Sequence, residues 1–181
     1  MKISVKKLDI LFIFFAIISI QTITYGAYQT IVVYEETYKQ EQLEQLEIEA
    51  SKTNLTEKEQ ATLNLINKYR KENGLEELKA ISSLEKVAKM KAEDLVNNGY
   101  FAHNSETLGT PFEMLKNNNV NYKIAGENLA GNISPERAVD AWINSASHRA
   151  NILDANFQYT GIYVIESPIY SEIYVQIFMG I

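Results

Sequence analysis

The 181-residue chain contains no cysteine, 3 prolines, 8 glycines, 1 tryptophan and 2 histidines. Without cysteine there is no disulfide framework, no thiolate nucleophile, no cysteine-ligated zinc and no lipidated cysteine anchor. The same absence says nothing about compartment. So little proline and glycine excludes a collagen-like or low-complexity chain, and 46% hydrophobic with 22% charged residues is the balance of a soluble globular domain. A basic surplus is missing too. The net charge is −6, and residues 60–181 carry fourteen acids against eleven bases, too few free cations to displace the counterions of a nucleic acid. Nucleic acid is not an expected partner. At this length one core preceded by a leader is the expected organisation.

Long hydrophobic runs are absent with one exception. Lys2, Lys6 and Lys7 precede an apolar run over residues 10–20, interrupted only by Ser19, which is the pattern of a secretory n-region and h-region. Thr24 and Gly26 offer small residues for cleavage. Left uncut, residues 10–33 exceed the roughly 20 residues that cross a bilayer, although Gln21, Thr22, Thr24 and Gln29 dilute the run. Residues 1–34 are therefore read as signal peptide or membrane anchor, with membrane contact confined to residues 8–33 if uncleaved. Both readings export the rest of the chain, either secreted or tethered to the outer face of the cytoplasmic membrane, because the positive flank stays inside. Residues 35–55 are acidic, and Leu43, Leu46 and Ile48 sustain no heptad pattern, so this stretch reads as a solvated helical spacer.

Residues 56–181 carry the domain signals. Thr56 with Glu59, and Ser82 with Glu85, are capping boxes ahead of apolar helical periods, the second bearing Leu84, Val87, Ala88, Ala92 and Leu95. Asn73 with Gly74, and then Gly99, supply the stops. Thr110, Pro111 and Glu113 open a third, short helix, and Ser134 with Pro135 a fourth that bears Ala138, Ala141 and Trp142. The C-terminus changes period. Residues 159–165 are β-rich, and Ile173, Val175, Ile177 and Met179 alternate with Tyr174, Gln176 and Phe178, with Ser167 and Pro168 as the turn between. A shorter strand is expected near residues 122–125, and helices followed by strands make the class α+β.

Chemistry has few candidates. His103 and His148 both stand at element boundaries, 45 residues apart, so they fit no local metal motif and any joint site must be assembled by the fold. A boundary histidine also serves simply as a helix C-terminal partner. Between them Glu127 lies in IAGENLAGN, flanked by glycines that allow close backbone approach or merely turn the chain. No serine sits in a G-x-S-x-G elbow.

The strings YFAHNSETLGTPFEML, AGENLAG, AWINSASHRANIL and FQYTGIYV, in that order across residues 60–181, resemble the successive signatures of the CAP superfamily. That family comprises cysteine-rich secretory proteins, insect antigen 5, plant pathogenesis-related class 1 proteins and bacterial secreted proteins. The resemblance implies a three-layer α-β-α sandwich with an open cleft, in which His103, His148 and Glu127 match the family's histidines and one of its acids. The second acid falls by position on Glu113, with Glu106 as fallback, although Glu113 also completes the cap with Thr110. Asn128, Ser145, Arg149 and Trp142 then line or brace the cleft, Trp142 as a core anchor on the helix presenting His148. Such a set suits a divalent cation, zinc first, held weakly and in a pH-sensitive way, because two histidines leave an open site. The absence of cysteine departs from the eukaryotic pattern and resembles the bacterial form, so functions tied to cysteine-rich extensions, such as channel modulation, are not carried over.

Three functions follow as expectations. The first is an exported binding module whose cleft holds a cell-envelope component, lipid or small molecule without turning it over. A metal-assisted hydrolase of peptide or ester, with Glu127 or Glu113 as general base, is the alternative. The third is an envelope assembly protein with a vestigial cleft and the spacer as its reach.

Overall fold

The computed structural model describes the backbone of residues 5–181 and the side chains of residues 24, 25 and 27–181. The leader's lysines, its apolar run and Gly26 lie outside the residues whose side chains are described; among the described residues no helix is long and apolar enough to cross a membrane. Helix α1 (Val5–Ser51) continues through the acidic stretch. Contacts divide the chain into two compact units, Met1–Leu46 and Glu47–Ile181, so the last turn of α1 belongs with the second.

Within that unit the capping chemistry sets the helix starts. Thr56 and Glu59 form a complete capping box on α2 (Glu57–Glu72), and Gly74 just beyond its end takes φ 75, the left-handed position that favours glycine. Strand β1 (Lys79–Ala80), which the sequence did not signal, leads directly into α3 (Ser82–Asn97). Here the expected Ser82 cap does not form. Ile81 is fully buried and donates its N–H to Thr160 O at 3.0 Å, so the sheet holds it extended and makes it the N-cap residue. The missing side-chain acceptor comes from elsewhere: Glu49 Oε2 of α1 accepts the Ser83 N–H at 3.1 Å, a carboxylate at a helix N-terminus. Glu85 instead turns inward, where burial raises its pKa and Oε1 has no partner.

Helix α4 (Pro111–Asn117) starts with the expected Thr110–Glu113 box and proline in its first turn. The short strand expected near residues 122–125 is nine residues long, β2 (Ile124–Asn132), and takes in the whole glycine-flanked motif. Helix α5 (Pro135–Asn144) is capped by Ser134. The chain then breaks at Ser145, whose ψ of 124 is extended, so His148 sits on a separate helix, α6 (Ala146–Ile152), rather than on the Trp142 helix. Strands β3 (Tyr159–Ser167) and β4 (Ser171–Gly180) form the C-terminal hairpin.

The sheet order is β1-β3-β4-β2, with β1 parallel to β3 and the other pairs antiparallel. Register places Gly161, Ile177 and Glu127 in one row across the sheet and Ile162, Gln176 and Asn128 in the next. Alternation then sends the first row to one face and the second to the other. On the Gly161 side the sheet packs on α3, with Leu84, Val87, Ala88, Ala92 and Leu95 at 1% exposure or less. On the opposite side α2, α5 and α6 cover it through a cluster that includes Ile66, Trp142, Ile152, Ile162, Tyr174 and Phe178. Each fully buried Leu, Ile, Val or Phe side chain among these contributes about 1.5–3 kcal/mol by leaving water. The result is an α-β-α sandwich of α+β class, and β4, buried on both faces, is its middle.

Candidate functional site

The site gathers residues from a loop, an edge strand and a short helix. The loop between α3 and α4 is tied down by Asp94, 8% exposed, whose carboxylate accepts from Thr107 Oγ1 at 2.6 Å, Asn98 Nδ2 at 2.7 Å and the Tyr100 hydroxyl. Burial alone would raise the Asp94 pKa, but these hydrogen bonds outweigh it and the net shift is downward. The Tyr100 phenol is pushed up to about 12, first by burial and then by its bond to that carboxylate. Ser105 and Gly109 exchange two backbone hydrogen bonds, and Ser105 Oγ accepts the N–H groups of Thr107 and Leu108. A loop folded this tightly can fix the side chain at its start.

That side chain is His103, whose Nδ1 lies 2.6 Å from Glu127 Oε1. The imidazole is 52% exposed and the carboxylate 2%, so the pair has one partner in solvent and one in the protein. The hydrogen bond to Glu127 raises the His103 pKa, against an opposing effect of burial. With the ring neutral, the bond places the proton on Nδ1 and leaves the Nε2 lone pair free. Glu127 Oε2 is buried with no hydrogen-bond partner. The buried cation whose charge reaches Glu127 is Lys91 of α3, 0% exposed, which donates to the Tyr100 hydroxyl at 2.9 Å and whose pKa burial lowers.

His148 arrives from α6, its ring centroid 6.5 Å from that of His103. Burial lowers its pKa, and the nearby His103 adds to the effect. Three amide contacts seat α6 on β2: Asn128 Nδ2 donates to His148 O at 3.1 Å, and Asn151 Nδ2 donates to Glu127 O at 3.2 Å and Asn128 Oδ1 at 2.9 Å. Trp142 is 1% exposed and donates Nε1–H to Leu129 O at 2.9 Å, while Arg149 Nη1 donates to Ile143 O across the α5–α6 break. Ser145 forms that break, and its hydroxyl meets Ser147 at 3.3 Å.

Glu113 stays at the start of α4. Its Oε2 accepts from the Thr110 N–H at 2.8 Å and the Thr110 hydroxyl at 3.0 Å, and these bonds lower its pKa. Glu106 is exposed and lines a separate cavity of about 450 Å³ with Asn98, Asn104 and Thr107. Among the described residues no three His, Asp or Glu side chains are grouped as metal ligands. The donor set therefore fits an open two-imidazole site with Glu127 standing behind His103, and does not fit a closed four-ligand one. Two ring nitrogens sharing a zinc ion put their centroids roughly 5–6 Å apart, close to the observed separation.

Lys91, Asp94, Tyr100 and Asn151 went unmarked in the sequence. Lys91 alone had a readable signal, as a charge on the buried stripe of α3 between Ala88 and Leu95.

Residues 63–178 match the CAP family, the cysteine-rich secretory protein family, and the chain belongs to that family. YkwD of Bacillus subtilis strain 168 is 42% identical over 123 residues, 67% of this chain and 47% of YkwD. An outer surface protein of Borrelia burgdorferi has a TM-score of 0.65 at 27% identity over 71% of this chain and 96% of its own. An extracellular SCP-domain protein of Bacillus anthracis gives 0.63 at 29%, over 71% of this chain and 45% of that one. The chain thus spans less than half of YkwD and of the anthracis protein. Extracellular and outer-surface neighbours agree with an exported chain.

Proposed function

We propose that the CAP domain is an exported binding module whose cleft, centred on His103, Glu127 and His148, holds a divalent cation, zinc first, and beside it a cell-envelope component, lipid or small molecule. The observation that supports this reading is the His103–Glu127 pair at 2.6 Å with a second imidazole 6.5 Å away. A carboxylate behind one imidazole orients it and strengthens its outer nitrogen as a donor. The cation would supply a positive Lewis-acidic centre, and this chain's own residues orient the two rings and leave the remaining coordination to solvent or ligand. Turnover has less support, because the Glu127 carboxylate is 2% exposed and that of Glu113 is engaged by Thr110.

The test is zinc titration calorimetry on the full chain in a sugar-free zwitterionic detergent, beside His103→Ala and His148→Ala. Saturable binding by the native chain, lost in both variants, is expected. No binding by the native chain, or binding that survives both substitutions, overturns the reading.

A further inference from the structure

A lysine is almost never fully buried unless it is paired, and Lys91 is 0% exposed. It stands on the buried stripe of α3, between Ala88 and Leu95, on the face of the sheet that also carries Glu127. Its ammonium donates to the Tyr100 hydroxyl at 2.9 Å and lies 4.9 Å from the centroid of that ring. The hydroxyl donates in turn to Asp94, which Thr107 and Asn98 also engage. Among the described residues Lys91 makes no direct ion pair. Its charge is held in the interior by a phenol and by anions at a distance.

Glu127 presents the converse case. Its carboxylate is 2% exposed, Oε1 meets His103 Nδ1 at 2.6 Å, and Oε2 is buried without a hydrogen-bond partner. A neutral imidazole supplies one hydrogen bond and no counter-charge, which leaves a buried carboxylate costly. Burial lowers the Lys91 pKa, and the charge of Glu127 opposes that effect ahead of the charge of Asp94. The ammonium also reaches the imidazole. His103 is raised by its bond to Glu127, and burial and then Lys91 act against that rise. Charges therefore alternate inward from the cleft: Glu127, then Lys91, then Asp94, with Tyr100 joining the last two.

We propose that Lys91 is a positioning residue of the site: its buried charge, anchored by Tyr100, is the counter-charge of Glu127 and fixes that carboxylate as the acceptor of the His103 Nδ1–H, leaving Nε2 as the free ring nitrogen. The effect needs no contact, because charges in a poorly screened interior act over several ångströms. Packing alone would be satisfied by any unbranched apolar side chain of similar length. Without the charge, Glu127 is a buried anion with no counter-charge, and its relief is to turn toward water. The His103 proton is then free to sit on either nitrogen. The proposal deepens the cation reading and rests on it for the use made of Nε2, while its main readouts need no metal.

The experiment records nitrogen-15 spectra of the imidazoles in the metal-free full chain, in the same detergent, at a pH above the His103 titration. Native chain is compared with Lys91→Met, which keeps length and loses charge, and with Val87→Ala, which loosens the same helix face without touching a charge. Native His103 should show a protonated Nδ1 and a bare Nε2. Lys91→Met should turn His103 to a mixture of the two tautomers and leave His148 unchanged, while Val87→Ala keeps the native pattern. Zinc affinity should fall about tenfold or more in Lys91→Met and hold in Val87→Ala. Urea unfolding supplies a second measurement. Lys91→Met should lower the midpoint, and adding Glu127→Gln, which removes the unmatched charge, should restore part of the loss. A native His103 without the Nδ1 proton, a native pattern in Lys91→Met, an equal change in Val87→Ala, or a double variant that unfolds no later than Lys91→Met overturns the proposal. A chain with the expected tautomers and no zinc binding fails the cation reading alone. One that binds zinc and keeps its His103 tautomer in Lys91→Met fails here alone.

Discussion

At the scale of residues, the two histidine rings lie 6.5 Å apart between centroids and are driven in opposite directions. The hydrogen bond to Glu127 raises the His103 pKa above its ordinary 6.5, while burial, and then the His103 charge, lowers that of His148. A raised folded value means that His103 contributes stability fully below the unfolded value, and that this is lost as pH rises through the folded one. A lowered folded value means that His148 contributes above the unfolded value and loses that contribution as pH falls through its folded one. In the window around 6.5 the two slopes oppose each other. The imidazole Cε1–H resonances of the metal-free chain should therefore titrate with His103 above and His148 below that value, and His103→Ala should move the His148 midpoint upward. Coincident or reversed midpoints would contradict the geometry. His103 and His148 stand out in the sequence as boundary histidines and Glu127 as a glycine-flanked acid, and the family resemblance implies that they meet. The sequence could not show their pairing, because the 2.6 Å contact depends on a loop anchored by Asp94, a residue with nothing in its local spacing to mark it.

At the scale of elements, starts and stops that rest on local chemistry were legible, and those set by tertiary contact were not. Thr56–Glu59 and Thr110–Glu113 close as reciprocal boxes because each needs only residues within one turn. Ser82 with Glu85 has the same spacing and fails, because β1 takes Ile81 into the ladder and Glu49 reaches Ser83 from another helix. Strand β2 was underread for a related reason: its glycines signal turns, yet Gly126 gives room to Asn151 and Phe157, and Gly131 to Tyr170. Close approach is severest at Gly161, where a Cβ would lie 2.1 Å from the Leu84 carbonyl carbon and 2.3 Å from Glu85 N. Both obstacles are helix backbone and cannot rotate away. Gly161→Ala should cost roughly 2–4 kcal/mol in urea unfolding. Gly99 is the contrast, with φ 65 and nothing within 4 Å of its Cβ position, so Gly99→Ala should cost about 1 kcal/mol for conformation alone. Equal midpoints for the two variants would show that α3 yields more easily than its packing implies.

At the scale of the whole domain, the α+β class was legible because period and order survive any detail of packing, and the sandwich only through the resemblance of four ordered motifs to a family, whereas the ties that hold the site's parts in place run between segments far apart in sequence. Arg70 is the clearest of these. It is 1% exposed on α2, and its guanidinium donates to Glu76 O at 2.8 Å, Ile152 O at 2.7 Å, Asp154 O at 3.0 Å and Phe157 O at 3.1 Å. In sequence it is one more charge on an amphipathic helix. In the fold it satisfies the last carbonyl of α6 and two more on the path to β3, so it fixes where the His148 helix ends. Arg70→Met keeps the apolar stem and removes all four bonds, leaving the buried carbonyls of Ile152 and Phe157 without the donor that Arg70 supplies, so a loss of about 3–5 kcal/mol is expected. The loss should not be uniform. Hydrogen exchange should rise first over residues 146–158, where three of the four carbonyls lie, while β4 and the centre of α3 keep their protection until global unfolding. Zinc affinity should fall with it, because the His148 ring moves with α6 while the His103–Glu127 pair, held by the α3–α4 loop and β2, stays in place. Exchange that rises equally in β4 would instead make Arg70 a support of the whole core, with no particular claim on the cleft.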